Sequence, residues 1–161
     1  MFSLFQNHPD VTALFEPFKE SESPDDLIAK LNATEGSRIV AKWPVETLTG
    51  KTLACKLKQP FAIHDYSRFI DSGHRVIWIT RAYDRWLHSW NNRQSPKHSR
   101  KHGLAHWLKW LHVCHDLHNY APTEVLMVNY DDMVTNLKRE AVRIFEFATL
   151  PYHLNQDDAT H

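Results

Sequence analysis

The chain has 161 residues, which suffices for one domain with a hydrophobic core and is short for two. Hydrophobic residues make up 42% of it, with 6 Trp and 8 Phe, a composition typical of packed globular proteins. The formal net charge is +0 at pH 7, which argues against non-specific nucleic-acid binding as the main role. We therefore expect no nucleic-acid partner.

Cysteine usage and hydropathy indicate the compartment. Cys55 and Cys114 are far apart and belong to no paired motif, so we expect buried, reduced thiols in a cytosol-like environment. No apolar run approaches the ~20 residues of a membrane span, and the first residues lack the pattern of a signal peptide. The sequence thus predicts a cytoplasmic protein without a membrane span.

Helical and extended patterns alternate in the first half of the chain. Asp25 or Asp26 is a suitable N-cap for a short helix through Leu31, and Pro44 closes a β-branched run. The predicted elements are the end of a helix at Met1–Asn7, an apolar connector at Val11–Lys19, the helix through Leu31, a strand at Arg38–Trp43 and a helix at Phe61–Ile70.

The alternation continues in the second half. Its predicted elements are a strand at Val76–Thr80, a helix with Trp86, Leu87 and Trp90 on one side, a basic loop at Ser95–His102, an amphipathic helix from Leu104 to Leu117, a strand at Glu124–Asn129 and a last helix with Leu137, Ala141, Ile144, Phe145 and Ala148 on one face. Strands alternating with helices indicate βαβ units and a mostly parallel sheet, an α/β fold. We expect one domain over residues 1–154 and a polar tail at 155–161.

Arg81 is the first candidate for a binding residue. It follows the strand Val76–Thr80, and ligands of parallel α/β sheets bind outside the carboxyl ends of strands. Ser89 lies about two helical turns further on, where its hydroxyl can reach the same anion. Arg81 and Ser89 together could bind a phosphate group. The alternatives are that Arg81 forms only a surface ion pair and that Ser89 is a helix residue without a binding role.

Four blocks of the sequence resemble the sulfotransferase family, in the order in which that family has them. The match is nearest to its carbohydrate and tyrosylprotein branches. FQNHPDVTALFEP resembles the segment after the family's first phosphate loop, and VIWITRAYDRWLHS its 3′-phosphate segment. VLMVNYDDM with the later FEFATLP resembles the block of strand, Tyr-Glu-Asp-Leu, helix and Phe-Leu-Gly-Leu-Pro. RIVAKWP is similar to the strand that ends in Lys-Thr-Pro or Lys-Thr-His.

The resemblance implies a fold, a donor and roles for particular residues. The fold would be a three-layer, mostly parallel sheet flanked by helices, of the P-loop NTPase-like type. The donor would be 3′-phosphoadenosine 5′-phosphosulfate (PAPS), whose sulfonyl group passes to a hydroxyl or amine of a carbohydrate, peptide or small alcohol. Arg81 and Ser89 would hold the 3′-phosphate. Glu16 would be the catalytic base and Lys42 the cation at the leaving group; the alternatives are a solvated loop acid and a strand-end surface charge.

The chain also departs from the family's pattern. The Gly-rich donor loop between a first strand and a first helix is missing, no Gly-x-x-x-x-Gly-Lys occurs, and Trp43 stands where cytosolic members carry His. We therefore expect a sulfotransferase-like domain truncated before or within its first helix, with impaired activity. The alternative is a non-catalytic nucleotide-binding or partner-binding remnant of the same fold.

Two further groups of residues have weaker functional interpretations. His112, His115, Asp116 and His118 lie at helical spacing, so adjacent pairs could share a metal ion, although a solvated helix face is the expected role. Residues Lys97–His102 either line the mouth of an anion site or form a solvated charge run, and the second is expected. The oligomeric state stays open.

Overall fold

A computed structural model describes residues 5–6, 8–15, 24–35, 38–42, 63–93 and 99–152. The chain divides into two compact units, one of residues 1–74 with 151–161 and one of residues 75–150. The predicted single domain over 1–154 stays a prediction. Glu16, Cys55, the tail 155–161 and most of Met1–Asn7 lie outside the described residues.

The first unit contains a parallel pair of short strands. Strand β1 spans Thr12–Phe15 and pairs with β2, Ile39–Lys42, so that Thr12 lies opposite Ile39 and Phe15 opposite Lys42. Strand β2 confirms the prediction for Arg38–Trp43. The connector predicted at Val11–Lys19 is wrong for its first part, because hydrogen bonding to β2 draws the run Thr12–Phe15 into a strand, beginning with the Thr12 N–H donating to the Arg38 carbonyl (2.8 Å).

Two helices of the first unit pack through apolar faces. Helix α1 spans Pro24–Ala33 and α2 spans Ile63–Asp71, close to both predictions. Asp25 and Asp26 lie in the first turn of α1, where carboxylates interact favourably with the helix dipole, and Arg68 of α2 pairs with Asp25. Their core consists of Leu27, Ile28, Leu31 and Phe69, with Ile39 packed against it.

The second unit alternates strands and helices. Its elements are β3 at Val76–Thr80, α3 at Tyr83–Arg93, α4 at Arg100–Tyr120, β4 at Val125–Asn129, α5 at Tyr130–Thr135 and α6 at Leu137–Phe147. Strands β3 and β4 are parallel and fully in register from Val76 opposite Val125 to Thr80 opposite Asn129. Both predicted strands and their parallel direction are confirmed, and the class is mixed α/β.

Helix α4 begins earlier than predicted. The Ser99 hydroxyl caps it by accepting the His102 N–H at 3.3 Å, so Arg100–His102 are helical and not part of a loop. Residues 94–98 of the predicted basic loop lie outside the described residues. Of the apolar positions predicted to share one face, Cys114 and Leu117 are buried, whereas Leu104 and Leu108 are 42% and 37% exposed; Trp110 is buried as well.

The end of the second unit holds one helix that periodicity did not predict. Asn129 caps the short α5 by accepting the Asp131 N–H at 2.9 Å, so a helix starts directly after β4. Helix α6 buries Ala141, Ile144 and Phe145 as predicted. Leu137, placed on the same face by the sequence, is instead 48% exposed at the first turn. Within the described ranges, no helix has both the length and the apolar character needed to cross a membrane.

Candidate anion-binding site

The carboxyl ends of β3 and β4 bring two chain segments together. Thr80 and Asn129 are paired at the end of the ladder, and Arg81 and Tyr130 follow them. Because parallel strands end at the same edge of a sheet, the turn into α3 and the start of α5 are neighbours. Arg81 therefore meets the first turn of α5, as contacts with Tyr130 and Asp131 show.

Arg81 is held against protein and does not extend into bulk solvent. Its guanidinium carbon lies 4.7 Å from the centroid of the Tyr130 ring, a cation–π distance, and 34% of its side chain is exposed. The Trp107 indole N–H donates to its backbone carbonyl at 3.0 Å. Its Nε–H is buried and forms no hydrogen bond among the described residues; the Asp131 Oδ1 atom lies 4.0 Å from it.

Arg81 and Ser89 line the same open pocket. Its volume is about 490 Å³, and the lining residues are Arg81, Asp84, Arg85, His88, Ser89 and Asn92. All six come from the end of β3 and one face of α3, because the other five follow Arg81 at spacings of three, four, seven, eight and eleven residues. The structure thus brings together the two residues that the sequence predicts as phosphate-binding; their role in binding stays a prediction.

Asp131 is an internal counter-ion for the arginines of this pocket. Its Oδ2 accepts the Ala82 N–H at 3.1 Å, and its Oδ1 lies 2.8 Å from Arg85 Nη1. The hydrogen bond from Ala82 lowers the pKa of the Asp131 carboxyl; burial works in the opposite direction, and Arg85 and Arg81 lower it further. Asp131 is therefore a carboxylate at neutral pH.

Sequence reasoning missed the roles of Arg85 and Asp131. A signal for both was present, because Arg85 precedes Ser89 by one helical turn and Asp131 follows the strand that pairs with β3. The parallel pairing of these two strands was needed to place them side by side. Asn92 and His88, a further turn along α3, hydrogen-bond each other at 2.9 Å.

Aromatic rings fix α3 against α4. Trp86 stacks on His106 with ring centroids 5.7 Å apart, and Tyr83 meets Trp107 at 5.9 Å. The Trp110 indole N–H donates to His106 Nε2 at 3.0 Å. These contacts pack α3 against α4 and hold the pocket-lining helix in place.

Arg100, in the first turn of α4, contacts the pocket rim at Asp84. Arg100 Nη2 lies 3.2 Å from Asp84 Oδ1, and both side chains are largely exposed. The Tyr83 hydroxyl donates to the Arg100 carbonyl. Lys101 and His102 are exposed, as a solvated charge run requires, and Lys97 lies outside the described residues.

The remaining candidate residues are Glu16, Lys42, the polar residues of α4 and Cys114. Glu16 lies outside the described residues, and Lys42 ends β2 as the sequence predicts, so the catalytic roles of both stay predictions.

His112, His115 and Asp116 are exposed, while His118 Nδ1–H donates to the Val125 carbonyl at 2.9 Å. Among the residues described, no group of three or more His, Cys, Asp or Glu side chains is arranged to hold a metal ion. Cys114 is fully buried, as predicted, and burial raises the pKa of its thiol to about 12.

Comparisons with models of protein families, with curated proteins and with solved structures found no match for this chain.

Proposed function

We propose that this chain is a sulfotransferase-like α/β domain that binds the 3′-phosphate of PAPS at Arg81 and Ser89. The observation that carries the proposal is the shared pocket of these two residues at the carboxyl end of β3. Arginine presents a planar fork of donors that matches two phosphate oxygens, and the serine hydroxyl supplies a third donor from two turns along the helix. The three-layer sheet of the P-loop-like fold belongs to the same proposal.

The pocket suits a phosphate on a nucleoside better than a free ion. A volume of about 490 Å³ lies within the range of small-molecule sites. The His88 ring and the Asn92 amide line the pocket together with Ser89. They offer polar groups to a ribose or base attached to the phosphate. A ligand of this shape extends along the face of α3.

The proposed reaction assigns the catalytic roles to Glu16 and Lys42. An acceptor hydroxyl oxygen attacks the sulfur of the donor, a new O–S bond forms, the bond between sulfur and the bridging oxygen breaks, and adenosine 3′,5′-bisphosphate leaves. Glu16 takes the proton of the hydroxyl, and Lys42 stabilises the charge on the bridging oxygen. Acceptors of this kind are carbohydrates, peptides and small alcohols.

The 161 residues contain no Gly-rich loop to cradle the 5′-phosphosulfate. Binding by this chain then depends mainly on the 3′-phosphate, and we expect impaired turnover. The alternative from the same resemblance is a domain that binds the nucleotide, or a partner, without catalysing transfer.

Calorimetric titration with adenosine 3′,5′-bisphosphate tests the nucleotide site. We expect saturable binding by the wild type that Arg81→Ala weakens by about 30-fold and Arg81→Lys weakens less, because lysine keeps the charge without the bidentate geometry. Lys138→Ala is the matched control, since it removes one exposed positive charge from α6, away from the pocket. Equal affinity in the wild type and Arg81→Ala, or no binding by the wild type, contradicts the proposal.

Transfer of labelled sulfonyl groups from PAPS to a panel of hydroxyl acceptors separates the enzyme from its alternative. Slow turnover that disappears in Glu16→Gln supports catalysis by this chain. Nucleotide binding without any turnover supports the non-catalytic alternative instead.

A further inference from the structure

The pocket holds a second guanidinium to which the proposed function assigns no role. Arg85 lies in the first turn of α3, one helical turn before Ser89, and both side chains line the pocket with Arg81. A phosphate placed between Arg81 and Ser89 therefore lies within the reach of Arg85, whose side chain is 64% exposed and free to move on its flexible stem.

A carboxylate of the protein, Asp131, already pairs with these two guanidinium groups. Asp131 Oδ1 lies 2.8 Å from Arg85 Nη1 and 4.0 Å from Arg81 Nε. The other oxygen of Asp131 is fixed by the Ala82 N–H, so the carboxylate is tied to the backbone at the start of α3. An incoming anion competes with Asp131 for Arg85, while Arg81 stays anchored on the Tyr130 ring.

We propose that Arg85 is a second phosphate-binding residue of this pocket and that Asp131 is the counter-ion it exchanges for the ligand. The proposal rests on the proposed function for the nucleotide but concerns the anion site alone. Its consequence is specificity: a doubly charged phosphate monoester displaces the single charge of Asp131 from Arg85, whereas a singly charged sulfate ester gains less from the exchange.

The ion pair between Arg85 and Asp131 is weak enough for a ligand to replace Asp131. Pairs between an exposed arginine and a carboxylate contribute little, because water screens the charges and two side chains must be ordered. Charge-assisted hydrogen bonds from a guanidinium fork to phosphate are stronger. Phosphate therefore displaces Asp131 from Arg85. Competition from Asp131 lowers the affinity for phosphate but does not prevent binding.

The test measures inorganic phosphate binding to the full chain by calorimetry at low ionic strength. Arg85→Ala is expected to weaken binding about tenfold, through the lost charge-assisted contact. Asp131→Asn is expected to strengthen binding by about two- to fivefold, the range of an exposed ion pair. The matched control is Asp132→Asn, which removes the same charge from the neighbouring exposed residue of α5 and is expected to leave the affinity within about twofold.

A double-mutant cycle then shows whether Arg85 and Asp131 act on each other. If Asp131 competes for Arg85, Asp131→Asn gains less affinity in the Arg85→Ala background than in the wild type. Additive effects, an unchanged affinity in Arg85→Ala, or weaker binding in Asp131→Asn each overturn the proposal. Retained helical circular dichroism of each variant excludes unfolding as the cause.

A second ligand separates failure of this inference from failure of the proposed function. If adenosine 3′,5′-bisphosphate binds through Arg81 while Arg85→Ala changes nothing, the nucleotide site stands and the role of Arg85 is wrong. If phosphate binding depends on Arg85 but the nucleotide binds no more tightly than phosphate, the anion site stands and the nucleotide function is wrong. If neither ligand binds the wild type, both are wrong.

Discussion

Among the described residues of the second unit, Glu140 and Asp131 each contact two arginines. The two carboxylates differ in how completely their oxygens are hydrogen-bonded to those arginines. Glu140 on α6 is buried, and both of its oxygens are engaged. Arg139 donates to Oε1 through Nε and Nη2 at 3.1 and 3.0 Å, and Arg143 Nε donates to Oε2 at 3.0 Å. Asp131 pairs with two arginines that line an open pocket: one of its oxygens accepts the Ala82 N–H, and the other lies 2.8 Å from Arg85 Nη1 and 4.0 Å from Arg81 Nε.

The difference separates a structural cluster from the proposed anion site. Arg143 also donates to the Met127 carbonyl of β4 at 3.0 Å, so the Glu140 cluster connects helix and strand through hydrogen bonds. Within the described ranges, the Arg81 Nε–H forms no hydrogen bond, and the exposed guanidinium of Arg85 has more N–H donors than the nearby Asp131 oxygen can accept. N–H donors of this kind beside a pocket are what binding of an anion requires.

The largest expected effect is on nucleotide affinity. Substitution of Arg81, beside Asp131, should lower that affinity, whereas substitution of Arg143, beside Glu140, should leave it nearly unchanged. Arg81→Ala lowers the affinity for adenosine 3′,5′-bisphosphate by on the order of 2 kcal/mol or more, about 30-fold, because a bidentate phosphate contact is lost. Its free energy of unfolding falls only by the cation–π contact with Tyr130, about 0.5–1 kcal/mol. Arg143→Ala should leave the affinity within about twofold. Calorimetry and urea denaturation check both; a nucleotide affinity that falls equally in the two variants contradicts the distinction.

Substitution of the buried carboxylate is expected to lower stability without affecting binding. Glu140→Gln keeps the side-chain volume but replaces one acceptor oxygen with an NH₂ group that faces a guanidinium, which costs between about 1 and 2 kcal/mol of the free energy of unfolding. Glu146→Gln, an exposed position on the same helix, is the control. Urea denaturation measures both, and an unchanged midpoint for Glu140→Gln contradicts the assigned structural role.

The sequence predicted the elements of this unit better than it predicted the site. Periodicity located β3, β4 and α6, because each has apolar positions at strand or helix spacing that the fold buries. Spacing alone placed Ser89 about two helical turns beyond Arg81, which follows the strand. The role of Asp131 depends on the parallel register of β3 and β4, a long-range feature, and β1 forms because β2 pairs with it, which local pattern does not encode.

The two arginines beside Glu140 are themselves not equivalent. Arg143 hydrogen-bonds both Glu140 and the Met127 carbonyl, whereas Arg139 contacts Glu140 with 68% of its side chain exposed. Arg143→Ala is expected to lower the free energy of unfolding by about 1 kcal/mol and Arg139→Ala by about 0.5 kcal/mol. The ratio of the two losses in urea denaturation is the readout. An Arg139→Ala variant as unstable as Arg143→Ala would show that the bond to β4 contributes nothing.

The pH dependence of stability is expected to show the smallest effect, because protonation removes part of what substitution removes. Burial opposes ionisation of Glu140, but hydrogen bonds and charge from Arg139 and Arg143 hold its pKa below its usual value of 4.5. The pKa of the folded protein therefore lies below that of the unfolded chain. Stability from this carboxylate is fully present above about pH 4.5 and is lost as the pH falls through the folded pKa.

Urea denaturation of the wild type and Glu140→Gln between about pH 7 and pH 3 measures this contribution. The difference in free energy of unfolding between the two proteins should shrink as the pH falls, since the wild type then carries a protonated Glu140 that no longer attracts the arginines. Asp131, whose pKa is lowered first by the Ala82 N–H and then by Arg85 and Arg81, acts in the same direction and remains in both proteins, so it cancels in the difference. A difference that is constant over this range would mean that the charge of Glu140 does not contribute to folding.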